Sequence, residues 1–168
     1  MPGGTGAGII HSLKYGGWTR VGSEIAERLA RLQWPIDVRE ERAMTVPVPL
    51  AAPRERERGF NQSAVIAREL GEIWQIPCRE ELVARARATR SQTELTPGER
   101  LSNVAGAFRS REKDSRELAG AHLILVDDVI TTGATLAACA SALFEAGART
   151  ISYVTFGRAP AAGDRPQR

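Results

Sequence analysis

The chain has 168 residues, of which 42% are hydrophobic, so it is long enough to bury the core of one ordinary domain. Its formal net charge is +3, and its two cysteines argue against a disulfide framework and against a zinc ribbon within the chain. No apolar run approaches the ~18 residues that a membrane span requires. The opening Met1-Pro2-Gly3-Gly4 lacks the pattern of a signal peptide, so we expect a cytoplasmic protein with no membrane partner.

The chain is expected to form a single domain between two tails. Residues 1–8 are rich in glycine, which predicts a disordered tail, and residues 161–168 are polar and contain proline, which predicts another. The domain would span residues 9–160. Apolar residues recur at helical spacing between Val21 and Trp34, which predicts a helix that packs on the core. The apolar positions of this predicted helix are Val21, Ile25, Leu29 and Leu32.

A β-rich run from Met44 to Leu50 contains two prolines, so the strand should end near them. The charged residues Glu55 to Glu57 favour a solvated loop. Arg58-Gly59-Phe60-Asn61-Gln62 combines an arginine, a flexible hinge, an aromatic anchor and an amide, directly before an amphipathic helix predicted from Gln62 to Trp74. Arginine suits pyrophosphate because its planar guanidinium binds two oxygens at once.

A long polar section separates two candidate strands. The first runs from Leu82 to Ala88, and the second begins near Phe108. Between them, Thr96-Pro97-Gly98-Glu99 fits a capping box, which predicts a helix from Pro97 to about Ala105. Loops of this length are usually functional or disordered, so the section is a candidate for a mobile lid.

The stretch from His122 to Thr135 has the order of buried strand, acidic pair, small-residue loop and helix start. Asp127 and Asp128 end its apolar run, and a helix is predicted from Ala134 to Ala146. In an open α/β sheet, ligands bind outside the carboxyl ends of the strands, which is where this loop would lie. A last buried strand is predicted from Thr150 to Phe156.

This loop suits a sugar phosphate. A helix N-terminus offers unpaired N–H groups and a partial positive charge, which stabilise a phosphate dianion. The residues that would surround the phosphate are Thr131, Thr132, Gly133, Ala134 and Thr135. Asp127 and Asp128 would repel a phosphate but suit sugar hydroxyls or Mg²⁺. An ordinary strand–turn–helix has a similar composition, because adjacent aspartates are common in solvated turns.

The string from Leu125 to Thr135 resembles the phosphoribosyl-diphosphate signature of the type I phosphoribosyltransferases. More narrowly, Val46-Pro47-Val48-Pro49-Leu50 followed by Arg58 to Gln62 resembles the ComF/GntX family, phosphoribosyltransferase-like proteins associated in some bacteria with competence and DNA uptake. Residues His11 to Gly16 resemble the opening helix of that family, so the resemblance extends over roughly Ile9 to Gly157. Many members carry a four-cysteine zinc ribbon before that helix, and this sequence has none.

The resemblance implies a doubly wound α/β fold: a mainly parallel sheet with helices on both faces and a small hood formed by N-terminal segments. It implies an enzyme of nucleotide metabolism that binds 5-phosphoribosyl 1-diphosphate (PRPP) with Mg²⁺ as cofactor. The enzyme would transfer the phosphoribosyl group to an unknown nitrogenous acceptor and release pyrophosphate. The 5′-phosphate would sit in the loop from Thr131 to Thr135.

The resemblance also implies roles for individual residues. Asp127 and Asp128 would hold the ribose hydroxyls, directly or through Mg²⁺-bound water, and would act with Arg58 in catalysis. The pyrophosphate would contact Leu50, Ala51, Arg54 and Arg58. A flexible loop that closes over the substrate would contribute Arg90, Gln92, Arg100 and Asn103. For Arg100 and Asn103, a salt bridge or a helix cap explains the residue equally well.

Two other functions fit the same residues. The chain could be a non-catalytic module that binds PRPP or a nucleotide and acts through a competence protein or a nucleic-acid partner. A flavodoxin-like fold whose acidic pair binds a metal would explain Asp127 and Asp128, but it gives no reason for the segment from Arg58 to Gln62. A homodimer is also expected, since relatives often pair.

Overall fold

The computed structural model describes residues 19–86, 106–111 and 116–159. In these ranges the strands are β1 (Arg42–Pro47), β2 (Val83–Arg85), β3 (Phe108–Ser110), β4 (His122–Ile130) and β5 (Thr150–Arg158). The helices in the same ranges are α1 (Thr19–Ala30), α2 (Ile36–Glu41), α3 (Ala52–Arg58), α4 (Gln62–Trp74) and α5 (Ala134–Glu145). No helix in this part of the chain has the length and apolar character needed to cross a membrane.

The central sheet is parallel. Its described strands follow the order β1-β4-β5, with Thr45 opposite Ile124 and Ile124 opposite Ser152. Strands β2 and β3 form a separate antiparallel pair that flanks residues 87–105. The predicted doubly wound α/β fold with a mainly parallel sheet is confirmed. The hood predicted from N-terminal segments would include residues 9–18, which lie outside the described residues, as do the two predicted tails.

Side chains of β4 alternate between the two covered faces of the sheet. Leu123 and Leu125 belong to the core cluster that contains Leu143 of α5, together with residues of β2 and β3. Ile124 and Val126 belong to a second cluster, whose other members include residues of α1 and α4. Each fully buried side chain of this size contributes about 1.5–3 kcal/mol of transfer free energy. Because both faces are covered, β4 is apolar at successive positions rather than at alternate ones.

Helix α4 spans the residues that the sequence predicts. Asn61 is its N-cap, and the Asn61 side chain accepts a hydrogen bond from the backbone N–H of Ser63 at 3.1 Å. Helix α1 packs closely against it, because a Cβ added at Gly22 would clash with Val65 of α4. Thr45 of β1 donates from Oγ1 to the carbonyl of Ala67 at 2.9 Å, which ties α4 to the sheet.

One helix prediction was wrong in part, and one loop prediction was wrong. The first helix ends at Ala30 rather than at Trp34. The side chain of Trp34 folds back on the end of the helix, where its Nε1 donates a hydrogen bond to the carbonyl of Leu29 at 3.0 Å. Leu32 therefore lies outside the helix and is 54% exposed, so it is not a core residue. The charged residues Glu55 to Glu57 form part of α3 rather than a loop, although the helix has no buried residue. Charged straight-chain residues are good helix formers, which the loop prediction overlooked.

The strand predictions differ from the structure mainly at the ends. Strand β4 continues through the acidic pair to Ile130, because β5 pairs with it that far, with Ile130 opposite Arg158. Strand β5 was predicted to be buried, but Tyr153 is 60% exposed. Among the described strands β5 lies at the edge of the sheet, so its side chains are covered less than those of β4. The short strand β2 lies within the range predicted from Leu82 to Ala88, and β3 begins at Phe108 as predicted.

Candidate active site

A cleft of about 350 Å³ opens at the carboxyl ends of β1 and β4. Its walls come from the segment after β1, from α3, from the start of α4 and from the end of β4 with the loop that follows. Parallel strands bring their carboxyl ends to the same edge of a sheet, and ligands of α/β proteins bind at that edge. The backbone N–H of Val48 donates to the carbonyl of Val126 at 2.9 Å, so β1 and β4 are still joined where the cleft begins.

The structure brings most of the predicted site residues into this one cleft. Those that line it are Leu50, Ala51, Arg54, Arg58, Asp127, Asp128, Thr131, Gly133, Ala134 and Thr135. Thr132 is not part of the lining, and its Oγ1 accepts a hydrogen bond from the backbone N–H of Ala134 at 3.4 Å. The predicted loop residues Arg90, Gln92, Arg100 and Asn103, and the helix predicted from Pro97, lie outside the described residues.

The acidic pair is held by hydrogen bonds from the backbone and from Ser63. Oδ1 of Asp127 accepts from the hydroxyl of Ser63 at 3.1 Å and from the backbone N–H of Asp128 at 2.9 Å. Oδ1 of Asp128 accepts from the backbone N–H of Val129 at 2.7 Å. Burial, followed by the charge of Asp128, raises the pKa of Asp127 to about 7, against the opposing effect of these hydrogen bonds. Because the carboxylates of Asp127 and Asp128 are close together and have little contact with solvent, they favour the binding of a cation or of hydroxyl groups between them.

The loop after β4 has the backbone conformation that a glycine requires. Gly133 is the N-cap of α5 and has φ 78°, in the left-handed region that side chains with a Cβ avoid. The carbonyl of Gly133 accepts the first helical hydrogen bond, from the N–H of Ala137 at 2.9 Å. The first turn of α5 contains no acidic residue. The start of this helix is therefore compatible with a bound anion.

Arg85 is a cleft residue that the sequence did not identify as part of the site. It lies on β2, and its guanidinium carbon is 5.0 Å from the centre of the Phe108 ring. Burial lowers the pKa of Arg85, and the charge of Arg54 lowers it further. Arg54 and Arg85 both line the cleft, as expected where a cleft receives a multiply charged anion. No local motif marked Arg85, because β2 is three residues long and lies outside the main sheet.

Comparison with known proteins identifies the family of the chain. Residues 56–168 match the phosphoribosyl transferase domain family, which covers more than half of the chain. The chain belongs to this family. The "DNA utilization protein YhgH" of Salmonella typhi is 36% identical over 150 residues, which cover 85% of this chain and 63% of that protein. "Competence protein ComFC" of Bacillus subtilis is 37% identical over 111 residues, which cover 66% of this chain and 42% of that protein.

These relatives confirm the predicted resemblance to ComF-type phosphoribosyltransferases. The chain spans less than two thirds of the length of the two relatives. Among solved structures, the purine phosphoribosyltransferase of Pyrococcus horikoshii is 16% identical, with a TM-score of 0.44. That match covers 87% of this chain and 84% of the other, and a likeness of this degree carries no argument about substrate.

The carboxylates of this cleft suit one kind of metal site. In the described part of the chain, no group of three or more His, Cys, Asp or Glu side chains could enclose a metal ion. Mg²⁺ does not need such a cage, because it commonly binds one or two carboxylates and completes its shell with water and substrate oxygens. The adjacent carboxylates of Asp127 and Asp128 fit that arrangement, with the crowding of Asp127 as the structural reason.

Proposed function

We propose that this phosphoribosyltransferase binds PRPP with Mg²⁺ and transfers the phosphoribosyl group to a nitrogenous acceptor. The observation that carries the proposal is the composition of one cleft, in which an acidic pair, a glycine loop at a helix start and three arginines meet. A ligand that uses all three must carry hydroxyls, a terminal phosphate and a further anionic group. PRPP is such a ligand.

The 5′-phosphate would bind at the start of α5. The backbone there approaches without the obstruction of a side chain at Gly133, whose φ is 78°. Thr131 and Thr135 line the same wall, and their hydroxyls can donate to phosphate oxygens. The partial positive charge of the 12-residue helix favours a dianion at this position.

The ribose would lie over the acidic pair. Its hydroxyls can donate to Asp127 and Asp128, and the half-buried carboxylates would offset positive charge that develops on the ring in an oxocarbenium-like transition state. These carboxylates would hold Mg²⁺. When bound, the ion would neutralise negative charge on the phosphate oxygens. The Ser63 hydroxyl fixes the orientation of the Asp127 carboxylate, which keeps it in place before the ligand arrives.

The pyrophosphate would lie against the arginines. In the reaction the bond between the anomeric carbon and the pyrophosphate oxygen breaks, the electron pair goes to pyrophosphate, and a bond to the acceptor nitrogen forms. Negative charge therefore grows on pyrophosphate in the transition state. Arg54, Arg58 and Arg85 would stabilise that charge more strongly in the transition state than in the ground state, which is the condition for raising the rate.

Thermal unfolding with and without PRPP and Mg²⁺ tests the binding half of the proposal. Ligand at about 100 times its dissociation constant should stabilise the fold by roughly 2.7 kcal/mol, and the stabilisation should require Mg²⁺. An unchanged midpoint at millimolar PRPP would contradict the proposal. Pyrophosphate release with a panel of bases and amines tests the transfer half. Binding without release from any acceptor would favour the non-catalytic module instead.

A further inference from the structure

Gln62 is a buried polar residue of the cleft with an unused donor. The residue is 2% exposed and lines the cleft, yet its Nε2 has no hydrogen-bond partner in the described part of the chain. Two other buried polar side chains, Thr45 and Ser63, have acceptors: Thr45 donates to the carbonyl of Ala67, and Ser63 donates to Asp127. A buried N–H group without an acceptor destabilises a fold, so such groups are rare and call for an explanation.

The neighbours of Gln62 fix its place in the cleft. On one side, Nδ2 of Asn61 donates to the carbonyl of Val48 at 2.9 Å, which ties the start of α4 to the segment after β1. On the other side, Ser63 donates to Asp127. In the chain, Gln62 therefore lies between a residue that holds the segment after β1 and a residue that holds Asp127, and its own side chain lines the same cleft. It is also the first residue of a 13-residue helix, where the partial positive charge of the helix favours an anion.

We infer that Gln62 binds the ligand, with Nε2 donating a hydrogen bond to a pyrophosphate oxygen of PRPP. This inference rests on the proposed function and names one more residue of its pyrophosphate side. Pyrophosphate is the part of PRPP that suits the Nε2 donor of Gln62, because every pyrophosphate oxygen is a hydrogen-bond acceptor and needs a donor. The ribose hydroxyls already have acceptors in Asp127 and Asp128. When folding buries Gln62, its Nε2 loses its hydrogen bond with water. A hydrogen bond to bound pyrophosphate would replace it.

Two variants remove the donor in different ways. Gln62→Met keeps the length and helix propensity of the side chain and removes all polar atoms. Gln62→Glu keeps the shape and replaces the donor with a carboxylate oxygen that repels an anion. Thr45→Val is the matched control, because Thr45 is equally buried and polar but has its partner within the protein and does not line the cleft. Each protein is titrated by calorimetry with Mg²⁺-PRPP, with Mg²⁺-pyrophosphate and with ribose 5-phosphate, and its unfolding midpoint is measured without ligand.

The inference predicts opposite effects on stability and on affinity. Gln62→Met should unfold at the same temperature as the unchanged chain or higher, since it removes a buried unpaired donor. Its affinity for PRPP and for pyrophosphate should fall about tenfold or more, a change of about 1.4 kcal/mol or more, with ribose 5-phosphate affected less than twofold. Gln62→Glu should lose more affinity for PRPP and for pyrophosphate than Gln62→Met does. Thr45→Val should lose stability and keep all three affinities.

Three results would overturn the inference, and each has a different meaning. If the unchanged chain binds PRPP but the Gln62 variants bind it and pyrophosphate equally well, Gln62 is not a ligand residue and the proposed function stands. If the unchanged chain binds neither PRPP nor pyrophosphate, the proposed function fails and the inference fails with it. Equal losses for ribose 5-phosphate and pyrophosphate would also overturn it, because they would indicate a general structural role.

Discussion

The two sides of the cleft are built on different kinds of structure. The acidic pair lies on β4, where residues Leu123, Ile124, Leu125 and Val126 are fully buried and both faces are covered. The arginines lie on small peripheral elements. Arg54 and Arg58 belong to α3, which has no buried residue, and Arg85 belongs to the three-residue strand β2.

This difference predicts different local stabilities. Elements with few buried apolar contacts open at a lower free energy than strands of the core. The acidic side should therefore be formed before a ligand binds, whereas the arginine side should depend more on the ligand for its final order. Each prediction below tests one side against the other, beginning with the largest expected effect on affinity.

Gly133→Val should remove binding of the 5′-phosphate. The position has φ 78°, so a β-branched residue there must distort the loop at a cost of about 1–3 kcal/mol. We expect the affinity for ribose 5-phosphate to fall about 100-fold or more, measured by calorimetry. Gly120→Val is the matched control, because Gly120 has φ 74°, no neighbour within 4 Å and no place in the cleft. Equal affinities for the two variants would show that the phosphate lies elsewhere.

Asp127→Asn should weaken Mg²⁺-dependent PRPP binding by about 10- to 100-fold, because the amide is a poor metal ligand and lacks the negative charge. The same change should stabilise the metal-free protein at pH 8. The pKa of Asp127 is raised to about 7 in the folded chain, so folding favours the protonated form. Ionisation then destabilises the fold progressively as the pH rises from about 4 to about 7.

Chemical denaturation in the presence of a chelator measures this pH dependence. The unchanged chain should lose stability relative to Asp127→Asn across that pH window, by roughly 4 kcal/mol at most, and the two should differ little below pH 4. A variant that is less stable than the unchanged chain at pH 8 would show that Asp127 has a structural role on the acidic side. That result would weaken the contrast between the two sides.

Arg85→Met should affect the other side alone. It removes one of three positive charges near the proposed pyrophosphate, so pyrophosphate affinity should fall about tenfold while ribose 5-phosphate affinity changes little. Arg109→Met is the control, because Arg109 lies on the neighbouring strand β3 and is exposed. Calorimetric titration with both ligands separates the outcomes. A loss for ribose 5-phosphate as large as that for pyrophosphate would mean that the two sides are not distinct.

Gly22→Ala should change stability without changing affinity. A Cβ at Gly22 would meet Val65, and overpacking between two helices costs about 1–3 kcal/mol. The helix pair α1 and α4 would have to separate slightly, at residues that do not line the cleft. Denaturant unfolding measures the loss, and titration with PRPP checks that the dissociation constant is retained. A large loss of affinity would indicate that the spacing of α1 and α4 sets the position of Gln62 and Ser63.

The acidic side of the cleft was accessible to sequence reasoning because it is local. Strand, carboxylates, loop and helix follow one another from His122 to Glu145, so their order in the chain is their order in space. The hydrogen bond from Ser63 to Asp127 was not accessible, because it joins residues far apart in the chain. The same applies to Arg85, which approaches Arg54 only through the packing of β2 and β3 on the core.

Errors in the predicted elements have similar causes. The helical spacing of Val21, Ile25 and Leu29 also fits Leu32, and only the turn made by Trp34 shows that the helix ends before it. Strand β5 is apolar enough for a central strand, and its exposure follows from its place at the edge of the described sheet. Periodicity indicates which face of an element is apolar, but the neighbours decide how much of it is covered.

Asn61 joins the two sides of the cleft. Its Nδ2 holds the carbonyl of Val48, its Oδ1 holds the N–H of Ser63, and the Ser63 hydroxyl holds Asp127. A ligand group that displaced the backbone at Val48 would therefore also act on the orientation of the Asp127 carboxylate through these hydrogen bonds. Coupling of this kind is reciprocal: if pyrophosphate strengthens the binding of ribose 5-phosphate, ribose 5-phosphate strengthens the binding of pyrophosphate by the same factor. One amide side chain thus gives the cleft a route to cooperative recognition of the two halves of a single substrate.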